Sequence, residues 1–157
     1  MREVISTINQ AWNWKGFTAT EAIRINDFGN VIFKTALNEY WRLCPEELSC
    51  HKIASSATEL NQVLTEQEFI DDWEMDHLVK EAKAVLGELA PYEKFYLVLP
   101  GVLGGQYNVS NIRKISFQEL IRLSGDLGFQ IKDLKDGDEV KLTTTDRQKK
   151  DGPPIGS

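Results

Sequence analysis

The chain has 157 residues, 41% of them hydrophobic and 27% charged, ordinary proportions for one soluble globular domain with a buried core. No apolar run approaches the roughly 20 residues that cross a bilayer. The N-terminus, MREVISTINQAWNW, lacks the basic and apolar regions of a secretory signal, so the expected location is cytoplasmic. The net charge of -6 is unevenly placed: residues 53 to 79 contain no Lys or Arg but hold Glu59, Glu66, Glu68, Asp71, Asp72, Glu74 and Asp76. The rest of the chain is close to neutral. Such a concentrated acidic segment disfavours nucleic acid and anionic membrane and suits a basic protein partner; a solvated face kept for solubility is the plain alternative.

In chain order, Val4, Ile8, Ala11 and Trp12 recur at helical spacing and predict an amphipathic first helix over 3 to 12. Thr18-Ala-Thr-Glu21 matches a capping box and predicts a short helix through Ile23. Asp27 to Asn30 is a turn cluster, and Val31-Ile32-Phe33 with Tyr40 to Leu43 predicts a hairpin that Pro45 ends. Leu48 to Ile53 reads as a third short strand. Two helices follow, over SSATELNQVL and TEQEFIDDWEM, the second opened by a Thr65/Glu68 capping box. Met75, Leu78, Val79, Ala82, Val85 and Leu86 mark a longer helix stopped at Gly87. Phe95 to Leu99 is a continuous apolar run before Pro100, which suits a central strand buried on both faces. Ile112 to Ile115 reads as a strand, Ser116/Glu119 as the cap of a helix through about Leu127, and 139 to 145 as a last strand after an Asp136-Gly137 turn. The tail, 147 to 157, is expected to be disordered. With helices and strands mixed and no steady βαβ rhythm, the expected class is α+β: a single domain over 1 to 146, its mostly antiparallel sheet packed with several helices.

Motifs for chemistry are sparse. Gly101, Gly104 and Gly105 follow an apolar run, as phosphate loops do, but no Lys follows and no helix starts until Ser116. Only His51 and His77 are available as catalytic bases, and neither adjoins a nucleophile motif. Counted from Asp71 as an EF-hand, the sixth and twelfth positions are Asp76 and Ala82 rather than Gly and Glu. Cys44 and Cys50 lack a second ligand pair, so two reduced thiols are expected rather than zinc. Arg113, Lys114 and Arg122 are too scattered for a nucleic-acid stripe. No cofactor or metal is expected, and no catalytic residue stands out. Carboxylates that meet only in three dimensions remain open to acid–base chemistry.

FGNVIFKT with EYWRLCPEELSCHKIA, and LPGVLGGQYNVSNIRKISFQELIRLSGDLGFQIKDLKDGDEVKL, together resemble a bacterial family. It is the C-terminal domain of type VI secretion DNase-immunity proteins, and the resemblance spans about residues 5 to 145. VLGGQY and IKDLKDGDEVKL are its most specific parts. The resemblance implies a non-catalytic cytoplasmic antitoxin that neutralises a cognate secreted toxin by occluding its active site or blocking its assembly. It carries over Gly101, Gly104, Gly105 and Tyr107 as a family motif with a structural role. In the best-known members an N-terminal module precedes this domain, and this sequence leaves no room for it, which puts the nuclease specificity in doubt. Toxins that act on nucleic acid need basic clefts. Asp71, Asp72, Glu74 and Asp76 are therefore candidate toxin-binding residues, with Trp73 as an aromatic anchor. The alternative for Trp73 is a core position beside Met75 and Leu78. A small enzyme or ligand-binding domain using the Gly101 to Gly105 loop is the second functional reading, and a housekeeping interaction module the third.

Overall fold

The structure is a computed structural model that describes residues 1–134. The expected Asp136-Gly137 turn, the strand over 139 to 145 and the tail lie outside the described residues. Helix α1 (Arg2–Trp12) forms as its periodicity requires, burying Val4, Ile8 and Trp12. Strand β1 (Ala19–Ile25) replaces the helix expected from the Thr18/Glu21 capping pattern. Tertiary pairing overrides the local signal. The Asn9 side chain bonds the Ala19 backbone in both directions, at 2.7 and 2.9 Å, and the Thr20 hydroxyl donates across to the Lys34 carbonyl.

Strands β1, β2 (Val31–Thr35), β3 (Tyr40–Cys44) and β4 (Ser49–Ala54) form an antiparallel sheet in sequential order. Phe33 pairs with Trp41, and Leu43 with Cys50. Alternation sorts the side chains onto two faces. Val31, Phe33, Leu43 and Cys50 pack under Ile8, Trp12 and Ile121. Ile32, Tyr40 and Ala54 pack on the other side against Leu60 and Trp73. Ile8, Val31 and Phe33 are wholly inaccessible, and each such side chain contributes about 1.5–3 kcal/mol relative to exposure.

The second face is covered by α2 (Ala57–Val63) and α3 (Gln67–Glu74), whereas α4 (Asp76–Leu86) packs against Phe28, Phe95, Leu97 and Ile112. The Ser56 hydroxyl caps α2 by accepting from the Glu59 amide. The predicted Thr65/Glu68 box does not form. The Thr65 hydroxyl donates back to the Gln62 carbonyl instead, and Glu66 occupies the cap position of α3. Gly87 stops α4 as expected, with its amide bonded to the Lys83 carbonyl.

Strands β5 (Glu93–Leu97) and β6 (Ile112–Ser116) form a separate two-stranded sheet, so the strongest strand signal is not central. Two-sided burial nevertheless explains its composition. Phe95 and Leu97 face Ala82 of α4, whereas Tyr96 packs toward Leu123 and Leu127. These two leucines belong to α5 (Phe117–Ile131), which the Ser116 hydroxyl caps through the Glu119 amide. Helix α5 lies directly on α1. The architecture is mixed α+β with antiparallel sheets.

Candidate functional site: an acidic cleft

The acidic stretch straddles a break between helices. Helix α3 ends at Met75, whose backbone is left-handed at φ 45°, and Asp76 starts α4 in a new direction. Asp71, Asp72 and Glu74 thus crowd the negative end of the α3 macrodipole, and the last turn of the helix carries no basic residue of its own. Each carboxylate there opposes the helix by roughly 0.3–1 kcal/mol. Helix stability therefore does not account for this sequence. Asn26 fixes the break: its amide donates to the Trp73 carbonyl at 2.9 Å while its oxygen accepts from the Phe28 and Asn30 amides.

These acids line an open cleft of about 1210 Å³ that also takes in the β3–β4 corner and Tyr107. Seven carboxylates reach it (Glu46, Glu47, Asp71, Asp72, Glu74, Asp76 and Glu81), and Arg42 is the one Arg or Lys among its lining residues. Arg42 is embedded rather than loose. Its Nη1 lies 2.7 Å from Asp72 Oδ2, its Nε donates to Asn30 Oδ1 at 3.0 Å, and its guanidinium lies over the Trp73 and Phe69 rings. Asn30 in turn donates to Glu46 Oε1 at 2.7 Å. Glu46 is buried at 5% exposure, and burial raises its pKa above the ordinary 4.5 despite the bonds from Asn30 and Cys44.

A raised folded pKa means that the native state holds this proton more tightly than the unfolded chain does. Glu46 therefore adds stability that is fully present below pH 4.5 and is lost as pH rises through its folded pKa. Glu46→Gln keeps an acceptor for Asn30 and is expected to raise the melting temperature at pH 7 relative to wild type, with the difference shrinking toward pH 4. Thermal melts across that range check this.

Trp73 is 8% exposed and packs with Ile32, Leu60 and Phe69, not with the Met75 and Leu78 cluster. It supports Arg42 from below, and the exposed chemistry of the stretch lies in its carboxylates. Asp72 and Asp76 are 68% and 74% exposed.

The glycine motif forms a tight turn over Gly101–Leu103. The amides of Leu103 and Gly105 donate to the Pro100 carbonyl, and that of Gly104 donates to Gly101, so they are committed to the loop's own carbonyls rather than turned toward a phosphate. Gly104 has φ 96°, and a Cβ on Gly105 would run into the Leu99 carbonyl group, with its carbon at 2.6 Å. A Cβ on Gly101 would strike the Glu47 carboxylate, its carbon 2.8 Å away. The loop thereby delivers Tyr107, 46% exposed, to the cleft wall, where its hydroxyl donates to Glu47. The acidic stretch and the glycine motif, far apart in sequence, meet in one site.

His77 is 90% exposed and bonded to Glu81 at 2.9 Å. Burial and Lys15 lower the His51 pKa. Among the described residues no three His, Cys, Asp or Glu side chains converge as metal ligands. Cys50 is buried with its thiol pushed up to about 12, and burial with the Glu46 charge raises Cys44 further. Neither is poised as a nucleophile. No helix among the described residues is long and apolar enough to cross a membrane.

Glu46, Glu47, Arg42 and Asn30 were not anticipated. The signal was Pro45-Glu46-Glu47 closing a hairpin: a proline-led turn holds both acids at the sheet corner. Residues 54–128 match the family model described as T6SS immunity protein Tdi1, C-terminal. No curated protein matches the chain. The matched region carries the acidic stretch and the glycine motif, while β1 to β3 lie before it.

Proposed function

We propose, from the match of residues 54–128 to the T6SS immunity protein Tdi1 C-terminal model, that this protein is a non-catalytic antitoxin that binds a cognate secreted toxin through the acidic cleft. It acts in the cytoplasm, where an incoming toxin would meet it, and neutralises that toxin by covering its active site or blocking its assembly. A nuclease fits best as the target, because enzymes that hold nucleic acid carry basic surfaces for phosphate. The observation that carries this reading is the convergence of seven carboxylates, Tyr107 and an embedded arginine in one open cleft. Exposed carboxylates steer a basic partner, and the half-buried tyrosine supplies contact area. The self-bonded glycine loop fits a scaffold for Tyr107 better than a ligand cradle.

Co-expression with the product of the neighbouring gene, as the candidate toxin, tests the proposal. Cells carrying both genes are expected to grow, and the two proteins to co-purify. Growth arrest together with no co-purification rejects that pairing.

A further inference from the structure

The cleft is concave, which constrains what enters it. A partner's own concave substrate groove would meet its rim and trap water, so contact requires a protruding segment. The chemistry of that segment is displayed in cis by Arg42. Its guanidinium lies 5.2 Å from the Trp73 ring and 5.4 Å from Phe69, with Asp72 Oδ2 at 2.7 Å. A ring face beside a carboxylate suits a planar, weakly hydrated guanidinium better than a compact, strongly hydrated ammonium. Elsewhere on the lining another aromatic side chain lies beside a carboxylate: Tyr107 is half exposed and its hydroxyl donates to Glu47.

Resting on the antitoxin reading, we infer that the cleft receives a protruding, arginine-bearing segment of the partner protein. One guanidinium stacks on Tyr107 beside Glu47, as Arg42 stacks on Trp73 beside Asp72. Tyr107 is then a specificity determinant. Its ring selects Arg over Lys, and its hydroxyl orients the carboxylate that the guanidinium meets. Asp71, Asp76 and Glu81 supply the field that draws the segment in.

The test uses the full chain, isotopically labelled, titrated with hexaarginine and with hexalysine while amide resonances are followed. Hexaarginine is expected to shift Glu47, Asp72, Asp76 and Tyr107 saturably and to bind about fivefold to tenfold more tightly than hexalysine. Tyr107→Ala is expected to erase that preference, and Tyr107→Phe, which keeps the ring face, to retain most of it. Equal binding of the two peptides, or shifts spread evenly over exposed acids outside the cleft such as Glu3, Glu21 and Glu88, would overturn the inference by reducing it to net charge. Should Tyr107→Ala fail to fold, the comparison of peptides on the wild-type chain decides alone. Toxin co-purification is read separately. Toxin binding without arginine preference rejects this inference only, and arginine preference without toxin binding rejects the antitoxin reading only.

Discussion

The combined variant Asp71→Lys, Asp72→Lys, Asp76→Lys is expected to slow association with the cognate toxin by about 10–100-fold at low ionic strength. The three substitutions change the formal charge by six units, from -6 to zero, and all three positions line the cleft. Most of the loss should appear in the association rate, because Asp71, Asp72 and Asp76 are exposed and guide encounter more than they lock the complex. It should fade as salt rises, since the Debye length falls to about 8 Å at physiological ionic strength. Asp72 also pairs with Arg42, whose side chain is only 13% exposed, so its replacement leaves a half-sheltered cation without its carboxylate. A double variant that spares Asp72 separates the two effects: it should slow association while the Arg42–Asp72 pair stays intact. Surface plasmon resonance at two salt concentrations reads both rates. An association rate unchanged at low salt would remove the cleft from the mechanism.

Gly105→Ala is expected to be the costliest single change in the glycine motif. Its Cβ would meet the Leu99 carbonyl group, backbone that cannot rotate aside. Overpacking of this kind costs typically 1–3 kcal/mol, here about 3, or roughly 10 °C in melting temperature. Gly104→Ala meets nothing within 4 Å but must hold φ 96°, a penalty of about 1–2 kcal/mol. The expected order is therefore Gly105→Ala below Gly104→Ala below wild type, with toxin affinity falling in parallel as Tyr107 loses its footing. A ligand-cradling loop would give the opposite pattern, with stability nearly unchanged and only ligand binding lost. Thermal denaturation of the two variants distinguishes these outcomes.

What the sequence disclosed, and what it hid, follows from the range of each interaction. Helix α1, the β2–β3 hairpin and the Ser116 cap rest on contacts a few residues apart, and local pattern was enough to place them. Thr18 to Glu21 failed because the same residues satisfy a capping box locally and a strand ladder globally. The ladder wins once Asn9 and β2 supply partners that the local window does not contain. Phe95 to Leu99 read as one strand buried on both faces, but the strand ends at Leu97 with Val98 exposed, and composition could not say that helices rather than neighbouring strands cover Phe95, Tyr96 and Leu97. The exposed carboxylates of the site were legible as a charge run without bases. Trp73 in their midst looked equally like an anchor and a core residue, and only the packing of α3 on the sheet distinguishes them. Glu46 was invisible, because an acid after proline reads as solvated. Its burial depends on Asn30 and Arg42, which lie in or beside β2 and β3.

Stoichiometry tests most directly whether this chain acts by occupying a toxin rather than by turnover. Titrated into a fixed concentration of active toxin well above the dissociation constant, it should abolish toxin activity at a fixed molar ratio near one to one. The Asp71, Asp72, Asp76 lysine variant should fail to reach that end point under the same conditions. Complete inactivation at a small fraction of an equivalent, growing with time, would contradict the account, because only a catalyst can spend itself on many targets.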